Sequence, residues 1–145
     1  DILTTAKGLG GGLPIGAAIL FERTQNTLTH GTHGSTFGGN PIACAAAISV
    51  LERIDENLLK EVREKSAYIF KELEGADGVE SVSGLGLMIG IQTKKPVDEV
   101  LKACMQAGAL PIKAKQKLRL LPALNIGWEE LKKGVEIIKR AVKGE

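Results

Sequence analysis

From residue 56 to the end, apolar positions recur at helical spacing among charged ones, or alternate as strands do. Leu58, Leu59, Val62, Ile69, Phe70 and Leu73 share one face of a helix opened by Asp55-Glu56-Asn57 and ended by Gly75 and Gly78. Residues 79–83 and 87–93 read as strands, with Gly84 and Gly86 between them. Residues 96–107 predict a helix stopped by Gly108, and 110–114 and 117–121 predict two short strands. A last helix spans 128–142, with Trp128, Leu131, Val135, Ile138 and Val142 on its buried face. The order α-β-β-α-β-β-α implies an α+β unit with its helices on one face of a small sheet.

The pattern before residue 55 is different. It is rich in glycine and nearly free of charge. Residues 2–5 form a short strand-like run, halted by Lys7 and the glycines at 8, 10, 11 and 12. Residues 15–21 form a second such run, and a polar loop follows to Asn40. Asn40-Pro41 starts a helix expected to reach Arg53, because the Asn side chain can cap and proline suits the first helical position. Ala43, Ala45, Ala46 and Ala47 allow that helix to pack closely. Two pieces are therefore expected: 1–55, the end of an α/β domain, and 56–145, a smaller α+β domain. The chain opens at Asp1 inside a strand-like run, and is expected to be part of a longer protein.

Composition narrows the function classes. A chain of 145 residues, 43% hydrophobic and 25% charged, is globular in character. Its longest near-unbroken apolar stretch, 42–51, is about half of what a membrane span needs. Nineteen basic against seventeen acidic residues leave a net charge of +2, too balanced for bulk recognition of nucleic-acid phosphates. Aromatic residues, at 3%, are too few for a base-stacking platform. Cys44 and Cys104 lie far apart with no CxxC, which suits a reducing, cytoplasmic compartment better than a disulfide framework. His30 and His33 have no third candidate ligand nearby, so no metal site is expected.

Three segments could carry chemistry. In Lys7-Gly8-Leu9-Gly10-Gly11-Gly12 a lysine at a strand end meets glycines, which let a bulky ligand approach the backbone. The order is wrong for a P-loop, and Leu13 breaks the dinucleotide fingerprint. What remains is an uncrowded amine suited to reaction with a carbonyl, or a plain surface lysine. Ser35 and Thr36 lie in a glycine-rich loop that ends at a helix N-terminus, where an anion such as phosphate is favoured, or where the loop simply ends in a cap. Arg119, within Lys117-Leu118-Arg119-Leu120-Leu121, shares a face with Leu121 opposite Leu118 and Leu120. A guanidinium there wants a carboxylate, from the protein or from a substrate.

The segments DILTTAKGLGGGLPIGAAI, HGSTFGGNPIACAAAISVL, SGLGLMIGI and LRLLPALNI, in this order, resemble the class III pyridoxal-phosphate aminotransferases over essentially the whole chain. Within that family the likeness is to the C-terminal part of the acetylornithine branch. The resemblance implies a fold-type-I transferase, with the end of the large cofactor-binding domain in 1–55 and the small C-terminal domain in 56–145. It implies pyridoxal 5'-phosphate as cofactor and Lys7 as the Schiff-base lysine and proton shuttle. It places Thr36, with Ser35 as a weaker neighbour, at the cofactor phosphate of the adjacent subunit of a homodimer. It places Arg119 at a substrate carboxylate. The implied reaction is transfer of the terminal amino group of N-acetylornithine to 2-oxoglutarate, a step of arginine biosynthesis. Ornithine or another ω-amino acid as donor, or a non-catalytic phosphate-binding or structural piece, are the alternatives. The partners implied are small molecules and a second subunit, not nucleic acid or membrane. Two departures stand out: Ser83, where many relatives carry arginine, and Ala123, where a second proline is usual.

Overall fold

The computed structural model describes residues 1–144. They separate into two compact units, Asp1–Asp55 and Glu56 onward.

In the first unit, β1 (Ile2–Ala6) and β2 (Gly16–Leu20) pair antiparallel, from Ile2 opposite Leu20 to Ala6 opposite Gly16. A single 3-10 turn, Lys7–Gly10, follows β1 directly. Gly10 is buried there, and a Cβ on it would come within 2.8 Å of Ile15 Cγ2. After a long loop, α1 (Pro41–Leu51) begins as the sequence requires: the Asn40 side chain accepts from Ala43 N–H at 2.9 Å, and Pro41 occupies the first turn. The helix ends at Leu51, two residues before the expected Arg53. Of the described residues here only Gly10, Ala43 and Ala47 are buried, while Ile2, Leu3, Ile19, Phe21 and Ile42 are exposed.

The second unit has its own core. Its strands are β3 (Val79–Leu85), β4 (Met88–Thr93), β5 (Ile112–Ala114) and β6 (Lys117–Leu120), all antiparallel in the spatial order β3-β4-β6-β5. Its helices are α2 (Glu56–Leu73), α3 (Val97–Gln106) and α4 (Trp128–Lys143). Ile69 and Leu73 of α2, Val100 and Cys104 of α3, and Val135, Ile138 and Val142 of α4 meet Ile89, Ile91 and Leu118 of the sheet in one buried cluster. All three helices thus cover the same sheet face.

Two expectations are corrected. Gly84 lies inside β3 rather than between strands, because Leu85 pairs with Met88 and leaves only Gly86 and Leu87 to turn the chain. Gly86 takes φ +56 at the first turn position, as a tight hairpin needs. Trp128 is 37% exposed, not core. It stands at the first position of α4, edge-on to Tyr68 with ring centroids 5.8 Å apart and with the Lys132 ammonium 5.9 Å from its ring centroid. Its stripe position would bury it only if the core extended past the helix end.

Candidate functional site

Lys7 is the first residue of the 3-10 turn that follows β1. Its φ is +55, a left-handed conformation that costs a non-glycine residue about 1–2 kcal/mol. Such cost is tolerated where the surrounding structure over-determines the backbone, and it fixes the direction in which the side chain leaves the strand. The residue is exposed, and its ammonium makes no ion pair among the described residues. Gly11 closes the turn in the αL conformation, donating its N–H to Gly8 O at 3.1 Å. A Cβ on Gly11 would sit 3.1 Å from Val50 Cγ2, so the turn rests on the last part of α1.

Ser35 and Thr36 lie before the opposite end of that helix. Gly38 folds back on Ser35 so closely that a Cβ on it would come 2.9 Å from Ser35 Cβ. Asn40 Nδ2 donates to Phe37 O at 3.0 Å, which ties the loop to the helix start. Both hydroxyls are exposed, and neither makes a hydrogen bond among the described residues. No hydrogen bond joins Lys7 to Ser35 or Thr36. The turn of Lys7 and the loop of Thr36 attach to opposite ends of α1, an 11-residue helix about 16 Å long. An exposed primary amine suits a carbonyl compound and exposed hydroxyls before a helix N-terminus suit a phosphate, but at opposite ends of α1 the two are not brought together within this chain.

Arg119 belongs to the second unit. It is central in β6, between Gly90 of β4 and Ile112 of β5. Leu118 and Leu120 enter the core, so Arg119 takes the sheet face that no helix of this unit covers. Its Nε is buried and has no hydrogen-bond partner, and its guanidinium makes no ion pair among the described residues. A buried N–H without an acceptor carries a desolvation cost of about 1–3 kcal/mol that an anion would relieve. A cavity of about 500 Å³ opens beside it, walled by Ile112, Leu120, Leu121, Pro122, Ile126 and Leu131.

Lys117, two residues before Arg119 on the same face, escapes sequence reasoning. Its ammonium donates to Ser83 Oγ at 2.8 Å, a residue 34 positions away. Alternation along β6 was the available signal, but the partner strand could not be read. Among the described residues no group of three or more His, Cys, Asp and Glu is placed to hold a metal, and no helix is long and apolar enough to cross a membrane.

The sequence model of the aminotransferase class-III family matches residues 1–142. The acetylornithine aminotransferase of Haemophilus ducreyi is 45% identical over 144 residues, covering 98% of this chain and 37% of that protein. Among solved structures, acetylornithine aminotransferase from Elizabethkingia anophelis superposes with a TM-score of 0.84 at 31% identity, over 100% of this chain and 41% of that one. The ornithine δ-aminotransferase of Plasmodium falciparum gives a TM-score of 0.85 at 31% identity, over 99% and 40%. The chain therefore spans well under half the length of the relatives it matches, and its fold is theirs over that span.

Proposed function

This chain belongs to the class-III aminotransferase family, and from that premise we propose that it is the lysine-bearing part of an enzyme that moves the terminal amino group of N-acetylornithine to 2-oxoglutarate. The observation that carries the proposal is Lys7: an unpaired amine on a left-handed turn at a strand end, in a chain that matches the family along its length. We assign 1–55 to the end of a large cofactor-binding domain and 56–145 to the small C-terminal domain. The scarcity of buried side chains in 1–55 supports the first assignment, since a strand pair with both faces bare needs further layers.

Pyridoxal 5'-phosphate, when bound, supplies an electron sink for the carbon that bears the transferred amino group. Lys7 would hold it through the amine. Thr36, with Ser35 beside it, would hold the phosphate by hydroxyl and backbone N–H. Lys7 Nζ is then the base that takes the proton from the substrate carbon and the acid that returns it. Arg119 holds a substrate carboxylate in a two-pronged contact and orients the chain of the substrate. Because Lys7 and Thr36 attach to opposite ends of α1, the same residues suit a homodimer in which each subunit lends Thr36 to the other's cofactor. The two free cysteines suit a reducing cytoplasm.

Borohydride reduction of the full-length protein, followed by peptide mass mapping, tests the assignment. The expected result is loss of visible absorbance and a phosphopyridoxyl group on Lys7; a label on another lysine overturns it. Initial rates with N-acetylornithine and ornithine decide the donor. The likeness to an ornithine δ-aminotransferase keeps the second donor in the comparison.

A further inference from the structure

Of the four aspartates and four asparagines in the chain, Asp77 alone is followed by glycine. A side-chain carboxyl can close a five-membered ring on the backbone nitrogen of the next residue, and the obstacle is the side chain of that residue. Asp1, Asn26, Asp55, Asn57, Asp98 and Asn125 precede Ile, Thr, Glu, Leu, Glu and Ile, and Asn40 precedes a proline that has no N–H. At Gly78 the obstacle is absent.

Ala76, Asp77, Gly78 and Val79 make the turn into β3. Val79 N–H donates to Ala76 O at 3.0 Å, and Gly78 takes φ +85 at the third position, the mark of a type II turn. Gly78 O accepts from Lys94 N–H at 3.0 Å, so the turn is tied on both sides. The peptide plane at its centre is not tied: neither Asp77 C=O nor Gly78 N–H makes a hydrogen bond among the described residues. That plane can turn over through ψ of Asp77 and φ of Gly78 alone, leaving Ala76 and Val79 in place, because glycine accepts either sign of φ. The Asp77 side chain is 74% exposed, and the Lys94 ammonium, at 3.8 Å, holds it only loosely.

We propose that Asp77-Gly78 is a self-modification site at which the chain isomerises from aspartate to isoaspartate. Once the central plane has turned over, the Gly78 nitrogen bonds to Asp77 Cγ. The hydroxyl of the carboxyl in its acid form and the amide proton leave together as water. A water molecule then opens the ring at the former backbone carbonyl, so the main chain runs through Cβ, one carbon longer, and the α-carboxylate is freed. The water lost is regained, and nothing is oxidised or reduced. The fold has no slack to absorb the extra carbon. Gly78 rests against Val142 O of α4, and Ala76 and Val79 both pack with the core of the second unit. Isomerisation therefore breaks the bond between Val79 and Ala76 and pushes the start of β3 off the last turn of α4. The freed carboxylate stands at the surface, where a carboxyl methyltransferase specific for isoaspartate can reach it. The site does not depend on the reaction assigned to Lys7, Thr36 and Arg119.

The test ages the full-length protein for several weeks at body temperature, folded in buffer or unfolded in guanidinium chloride. Isoaspartate is read as methyl transfer from S-adenosylmethionine by a protein-isoaspartate methyltransferase, and is located in the tryptic peptide 72–94. The folded parent should carry severalfold more label in that peptide than in those bearing Asp55 or Asp98. Asp77→Glu, which would need a larger ring, should carry none there. Asp77→Asn closes the same ring by losing ammonia, and should label faster and show the mass gain of deamidation. The aged parent should melt below the fresh protein, and aged Asp77→Glu should not. Label in the unfolded parent with none in the folded parent or in folded Asp77→Asn would mean that the turn holds its central plane fixed, and overturns the proposal. Equal label at Asp55 and Asp98 would overturn the role of Gly78. Label at Asp77 with an unchanged melting temperature would overturn its effect on β3 and α4.

Discussion

Gly78 packs its Cα directly against the carbonyl oxygen of Val142, so that the backbone entering β3 touches the last turn of α4 with no side chain between them. Any Cβ at 78 would overlap that oxygen, and φ at this residue is +85. The contact joins the start of the sheet to the end of the chain's final helix.

Gly78→Ala should therefore cost more than the left-handed backbone alone. The conformational part is about 1–2 kcal/mol. Relief of the overlap must move either β3 or α4, bringing the loss to about 3 kcal/mol or more. Urea unfolding of the variant beside the parent measures it. A loss below about 1 kcal/mol would mean that the two backbones separate freely.

Lys7→Ala in the full-length enzyme should reduce turnover by at least about a hundredfold, since general acid-base catalysis alone contributes about a hundred- to ten-thousandfold. Some cofactor binding should survive through the phosphate contacts. A single-turnover assay with added free amine separates the roles: partial rescue is expected if Lys7 moves the proton. Undiminished turnover in Lys7→Ala removes it from the chemistry.

Thr36→Ala should loosen the cofactor about ten- to a hundredfold, the worth of one hydrogen bond to a charged group. Once the enzyme is saturated with cofactor, the rate should be close to that of the parent. Dialysis followed by an absorbance scan makes the comparison. Equal rates of cofactor loss in variant and parent would exclude a phosphate contact at Thr36.

Stability should fall on the alkaline side. Cys104 is fully buried, and burial pushes its thiol above the ordinary range. The unfolded thiol titrates near about 8.5, so the folded state holds the proton to higher pH. The stabilisation is whole below that pH and is lost as pH rises through the folded value. Lys139 shifts in the same sense: its hydrogen bonds to Glu72 at 2.9 Å and Glu136 at 3.0 Å raise it, and that support also fades as pH climbs. Urea midpoints should decline between about pH 8 and 10 through Cys104, a decline missing in Cys104→Ala, while the Lys139 contribution fades only above about pH 10. A flat profile to pH 10 contradicts the buried-thiol account.

Local chemistry along the chain was enough for the order of elements. Asn40-Pro41 declares a helix start because cap and first-turn proline are contacts within three residues. The stripes of α2, α3 and α4 are equally local, since a period of 3.6 needs no partner to be seen. The candidates Lys7, Ser35, Thr36 and Arg119 stand out for the same reason: each belongs to a short run whose residue types are themselves the signal. The strand order β3-β4-β6-β5, the pairing of Leu118 with Ile91, and the face on which Arg119 meets Gly90 depend on residues distant in sequence. So do the escape of Trp128 from the core and the reach of Lys117 to Ser83. Those relations come from packing and cross-strand register, which a one-dimensional pattern constrains only by sidedness. The sequence determines which side chains are available; the tertiary structure decides which of them share a face and which lack a partner.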